Sequence, residues 1–187
     1  MKNKASTYTG GFPAQTGLYD PANEKESCGV GFVADIHGRA SHQIMLDAYH
    51  INSRMDHRGG CGFEKNTGDG AGILTAMPHA FFKIVGKQLG IELPPPGQYA
   101  VGNVFLPQDD TQRKHCKLVI EEIIAAEGQQ FIAWRPVPVD DDGADVGPAA
   151  RAAQPAIEQL FIGAQGVGAD AFERKLYLIR KQLTYKL

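Results

Sequence analysis

Residues 28–36 read Cys28-Gly29-Val30-Gly31-Phe32-Val33-Ala34-Asp35-Ile36, and everything else in the chain is organised around that stretch. Val30, Phe32, Ala34 and Ile36 alternate with Gly29, Gly31, Val33 and Asp35, the period of two expected of a β-strand with one face on a core. The two glycines at its start mark a place where another backbone or a ligand comes close. The stretch also divides the chain. Residues 1–27 (MKNKASTYTGGFPAQTGLYDPANEKES) hold no apolar block of the kind a secretory signal needs. Gly10, Gly11, Pro13, Gly17 and Pro21 argue against an amphipathic presequence helix. They read as a loosely structured leader, with the domain proper running from 28 to 187.

Downstream, helical and extended patterns mix without a repeat. Residues 41–57 place Ile44, Ala48, Ile51 and Met55 on one helix face, with Ser41 as the cap. A glycine-rich connection from Arg58 to Gly72 leads into a short apolar strand, Ile73 to Met77. Pro78 opens a helix carrying Phe81, Phe82, Val85 and Leu89 and stopped by Gly90. The prolines at 94–96 form a rigid loop. Tyr99–Leu106 is a strand. A helix follows, capped at Asp109/Asp110, with Cys116, Val119, Ile120 and Ile123 inward and its end at Gly128. Gln130–Val139 is a further strand, which Pro136 and Pro138 confine to a sheet edge. After an acidic loop (Asp140, Asp141, Asp142, Asp145), Ile157–Ile162 reads as a short strand. A last helix over about 169–184 carries Phe172, Leu176, Ile179 and Leu183. The pattern supports an α+β or α/β fold and goes no further. The stop directly after that helix reads as the end of a fragment.

Composition excludes several classes. The 187 residues are 43% hydrophobic and 21% charged, enough for one domain with a real core. A net charge of -2 carries no general signature for nucleic acid or an anionic membrane, so neither is expected as a partner. No apolar stretch approaches the ~20 residues a bilayer span needs. Three cysteines make no disulfide framework and suit a reducing compartment, here expected to be the cytoplasm.

Two places could carry chemistry. Cys28 stands at the junction of leader and strand. Cleavage after Ser27 would give it a free α-amine, pKa about 7.7–8, beside a thiol of pKa about 8.5, so that one residue would hold both base and nucleophile. Uncleaved, the nitrogen is an amide and no base exists there. Taken alone, Cys28 is more often a small buried side chain in a strand. The second place is MDHRGGCGFEKNTGDGAG, 55–72, where glycines allow tight turns and Arg58 could bridge carbonyls or a carboxylate. It is no phosphate loop, because no Lys-Ser/Thr follows and a strand rather than a helix comes next. Taken alone, it is more often an ordered turn. Metal binding is not expected. His50, His57, Cys61 and Cys28 form no Cys-x-x-Cys spacing, and His37, His42, His79 and His115 are scattered. Cys116 reads as core, the acidic run as a solvated loop and Phe81-Phe82 as packing.

Taken together, GLYDPANEKES before the cysteine, Cys28-Gly-Val-Gly-Phe, DHRGG at 56–60, TGDGAGI at 67–73, PVPVD at 136–140 and AFERKLYLIRKQ at 171–182 resemble one family over most of the chain. They are similar to the N-terminal glutaminase domain of the glutamate synthase large subunit, a class II glutamine amidotransferase. The resemblance implies the αββα four-layer sandwich of N-terminal nucleophile hydrolases, here incomplete. It implies that 1–27 is a propeptide and Cys28 the catalytic nucleophile, forming a thioester with glutamine and releasing ammonia. Arg58 would order the loop beside Cys28 and take part in substrate binding, and Asp69 would be structural. No cofactor is implied in this chain. The complete enzyme, an oxidoreductase of nitrogen assimilation, would use FMN, an iron–sulfur cluster and NAD(P)H or ferredoxin to make glutamate from 2-oxoglutarate. The partners implied are glutamine, the rest of the synthase polypeptide, and a reductase subunit or ferredoxin.

One feature departs from the family. Its oxyanion hole uses an Asn-Gly pair, worth roughly 2.7–4 kcal/mol of barrier, and no Asn here (3, 23, 52, 66, 103) precedes a Gly. The isolated chain is therefore expected to be inactive, and also poorly soluble. The competing readings are another class II amidotransferase, such as an amidophosphoribosyltransferase or asparagine synthetase, and a non-catalytic partner module retaining the fold.

Overall fold

Ser41 starts the first helix by accepting a hydrogen bond from the Ile44 N–H at 3.4 Å, the cap its hydroxyl predicts. The computed structural model describes Gly17, 29–55, Glu64, Thr67 and 70–187, and divides the chain into two units, Met1–Ile73 and Leu74–Leu187.

In the first unit, α1 spans His42–Arg54. Its expected inner stripe, Ile44, Ala48, Ile51 and Met55, is half-buried, while His42, Gln43, Met45, Leu46, Tyr49 and His50 are exposed. The turn before it is held by Asp35, whose carboxylate accepts from the His37 N–H at 2.7 Å and pairs with Arg39 at 2.8 Å. Gly38 completes that turn at φ 69°. The strand expected over Cys28–Ile36 is corrected here. Residues 29–35 belong to no ladder, and Val30, Phe32 and Ile36 are 95%, 91% and 93% exposed. Alternation specifies which side chains share a face, but a strand exists only where a second backbone pairs with it. The expected strand Ile73–Met77 is absent for the same reason.

The second unit is a helix–sheet–helix arrangement. Its elements are α2 (His79–Leu89), β1 (Tyr99–Leu106), α3 (Asp110–Ala126), β2 (Gln130–Pro136), α4 (Pro148–Ala153), β3 (Ala156–Gly163) and α5 (Ala169–Lys186). The three strands make one antiparallel sheet in the order β1-β3-β2. β2 is an edge strand, as Pro136 and Pro138 require, and is irregular between Phe131 and Ala133. Alternate residues of β3 serve opposite faces. Leu160 and Ile162 join Leu106 of β1 under Ile120, Ile123 and Ile124 of α3 and Phe172 and Ile179 of α5. Phe161 points the other way, with Tyr99, onto Phe82 and Val85 of α2. The described residues thus establish a mixed helix-and-sheet fold built on a three-stranded sheet.

The helix ends follow local chemistry. Asp109 caps α3 by accepting from the Gln112 N–H at 2.8 Å, and Gly90 ends α2 in the left-handed region at φ 69°. The α4 turn was not expected from the sequence. The acidic loop is tied to it, since the Gln154 amide donates to Asp141 at 2.8 Å and Arg151 stands 3.4 Å from Asp142.

Candidate active site

The two residues on which the chemistry was expected to rest, Cys28 and Arg58, lie outside the described residues, as do Asp69, His57 and Cys61. What the structure does describe is the backbone that leads away from Cys28. Within it, a Cβ placed on Gly31 would collide with the Cγ2 of Ile51, on the half-buried stripe of α1. The segment following Cys28 therefore lies against the helix whose C-terminal end, Arg54, precedes Arg58 by four residues.

The other singled-out residues take ordinary places. Cys116 is half-buried against the core of α3, α5 and the sheet, as its helical position predicts. His79 is engaged by the Tyr99 hydroxyl at 2.9 Å, and burial pushes the Tyr99 phenol above its ordinary value. Phe81 and Phe82 pack edge-to-face at 5.3 Å. Among the described residues, no three His, Cys, Asp or Glu side chains are grouped to hold a metal ion. Nor is any helix among them long and apolar enough to cross a membrane. An open hollow between Pro96–Gln98 and Ala164–Ala169 has no titratable group in its lining.

The family model of the class-II glutamine amidotransferases matches residues 28–187, beginning at Cys28 itself. The chain belongs to the class-II glutamine amidotransferases. Among the relatives of this amidotransferase domain is the glutamate synthase [NADPH] large chain of Bacillus subtilis, 41% identical over 172 residues, which cover 91% of this chain and 11% of that protein. Glutamate synthase [NADH] of Schizosaccharomyces pombe is 38% identical over 186 residues, 96% of this chain and 9% of that protein. Ferredoxin-dependent glutamate synthase 1 of Arabidopsis thaliana is 39% identical over 170 residues, 90% and 10% respectively. The chain thus spans about a tenth of the length of the curated relatives it matches. The Schizosaccharomyces alignment leaves out only a few residues of this chain, so the likeness reaches into residues 1–27.

Proposed function

We propose that this amidotransferase domain is the glutamine-hydrolysing portion of a glutamate synthase, with Cys28 as its N-terminal nucleophile. The observation that carries the reading is the family match that begins at Cys28, together with likeness to glutamate synthases over nine-tenths of the chain. Removal of residues 1–27 frees the Cys28 α-amine, whose pKa of about 7.7–8 leaves a working fraction unprotonated as a base near neutral pH. The thiol passes its proton to that amine as Sγ attacks the carboxamide carbon of glutamine. The tetrahedral intermediate collapses with rupture of the C–N bond, the amine returns the proton to the leaving nitrogen, and ammonia departs. Water, deprotonated by the same amine, then cleaves the thioester to give glutamate and restore the thiol. Arg58 orders the loop beside the nucleophile. In this reading the domain completes a four-layer αββα sandwich, of which the β1-β3-β2 sheet and its helices are one part.

The released ammonia is used for reductive amination of 2-oxoglutarate elsewhere in the synthase, with FMN, an iron–sulfur cluster and electrons from a nicotinamide cofactor or ferredoxin. These 187 residues do not fit an iron–sulfur cluster. It takes about four thiolates, whereas the chain has three cysteines, one the proposed nucleophile and one, Cys116, packed on the core. The cluster therefore belongs to other parts of the synthase.

The test is the intact mass and N-terminal residue of the full-length protein from its own source, followed by a glutaminase assay. We expect Cys28 at the N-terminus and turnover abolished by Cys28→Ala. A protein that keeps residues 1–27 attached, or a Cys28→Ala variant that still releases ammonia, would refute the reading.

A further inference from the structure

We propose that Gly31 is a positioning residue for the nucleophile: its missing side chain lets the segment that follows Cys28 lie directly on Ile51 of α1. The inference rests on Cys28 being the nucleophile, as argued above, and extends it to how that residue is held. A Cβ built on Gly31 would fall well inside contact distance of Ile51 Cγ2, while the Ile51 Cβ would stand 3.7 Å away, an ordinary contact. Cγ2 cannot simply swing aside. It branches from Cβ, and isoleucine in a helix is held close to one χ1 rotamer. Ile51 also belongs to the half-buried stripe of α1 with Ile44, Ala48 and Met55, so turning it out would give up packed surface. Any side chain at 31 must instead lift the backbone off the helix, by roughly 1 Å to restore normal carbon–carbon separation.

Chain length makes that displacement matter for chemistry. Gly31 follows Cys28 by three residues, at most about 11 Å of extended chain, and Arg58 follows the end of α1 at Arg54 by four, at most about 14 Å. The Gly31–Ile51 contact is thus a short tether between the segments that carry the nucleophile and the arginine. The glycine conformation is not what is needed here, because Gly31 is not among the residues with positive φ. The requirement is for space, and space can be restored from the other side.

The experiment is a double-mutant cycle in the full-length protein, with Gly31→Ala, Ile51→Ala and the pair, and Cys28→Ala as the reference for chemistry. The readouts are kcat and KM for glutamine hydrolysis, the rate at which an electrophilic glutamine analogue labels Cys28, the N-terminal mass and the melting temperature. Gly31→Ala is expected to lower kcat and the labelling rate about 100-fold, with the melting temperature kept. Adding Ile51→Ala is expected to recover at least tenfold of that loss, because the truncated side chain leaves only the 3.7 Å neighbour. A Gly31→Ala enzyme with wild-type kcat would overturn the proposal, and so would a loss that Ile51→Ala does not relieve. Turnover that survives Cys28→Ala would instead sink the nucleophile assignment on which the proposal stands.

Discussion

The Lys117 ammonium donates to the Glu158 carboxylate across 2.7 Å, joining α3 to the central strand of the sheet. Glu158 is only 8% exposed, and the other nearby cation, Arg113, stands 3.9 Å from its second oxygen. Lys117 also lies 4.8 Å over the Trp134 ring, whose N–H donates to Glu121 at 2.7 Å. Lys117→Met leaves a buried carboxylate with one distant partner and is expected to cost about 1.5–3 kcal/mol. The double variant Lys117→Met/Glu158→Leu should recover part of that loss, since no charge is stranded. Urea denaturation followed through Trp134, the one tryptophan of the chain, measures both.

Phe161 is fully buried in the middle of β3 and meets Phe82 edge-to-face, with centroids 5.5 Å apart at 90°. Phe161→Ala removes the contact that fastens α2 to the sheet and is expected to cost about 3–5 kcal/mol. Against a typical margin of about 5–15 kcal/mol, that is enough to bring the unit near unfolding at ambient temperature. The same denaturation curve reads it, and Phe161→Leu should retain most of the stability.

Glu127, at the end of α3, is held below its ordinary pKa of 4.5 chiefly by the hydrogen bond from Lys175, at 2.9 Å, and next by that from Gln182. A carboxyl lowered in the folded state stabilises fully above its unfolded value and loses that contribution as pH falls through the folded one. The link between α3 and α5 should therefore weaken in acid, below 4.5. Lys175→Met should flatten the acid limb of a plot of unfolding midpoint against pH. An unchanged limb would mean that the pair contributes nothing.

On the proposed function, in which Arg58 orders a loop of the glutamine site, Arg58→Ala in the full-length protein is expected to lower kcat/KM for glutamine about 100-fold. The N-terminal residue, checked by intact mass, should be the same as in the wild type. A variant with wild-type kcat/KM would remove Arg58 from the site.

The second unit was legible in the sequence wherever a local signal and a burial pattern agreed. Tyr99–Leu106 was bounded correctly because proline and glycine precede it and Asp109 caps the next helix. Gly90 and Gly128, at φ 69° and 70°, end their helices where expected. The segment after Cys28 was misread as a ladder strand. Its alternation is real, but 29–35 find no pairing strand among the described residues, and what Gly31 approaches is Ile51 of α1. The six-residue α4 escaped notice because Pro148-Ala-Ala-Arg-Ala-Ala has helix propensity but no apolar stripe to betray it. For the site, spacing alone left Cys28 an ordinary strand cysteine. Several motifs in family order singled it out, because chemistry held by residues far apart in sequence leaves no periodic trace.

The order β1-β3-β2 has a consequence for how the chain is made. The last strand to leave the ribosome is the one that sits in the middle, so β1 and β2 emerge with no ladder between them and must wait for Gly163. Until then two apolar ribbons stand open on the nascent chain, and the helix that covers one face of the sheet, α5, has still to be synthesised. Between translation of Leu106 and of Gly163, β1 and β2 thus lack their shared partner and present the unpaired, apolar edges that chaperones cover.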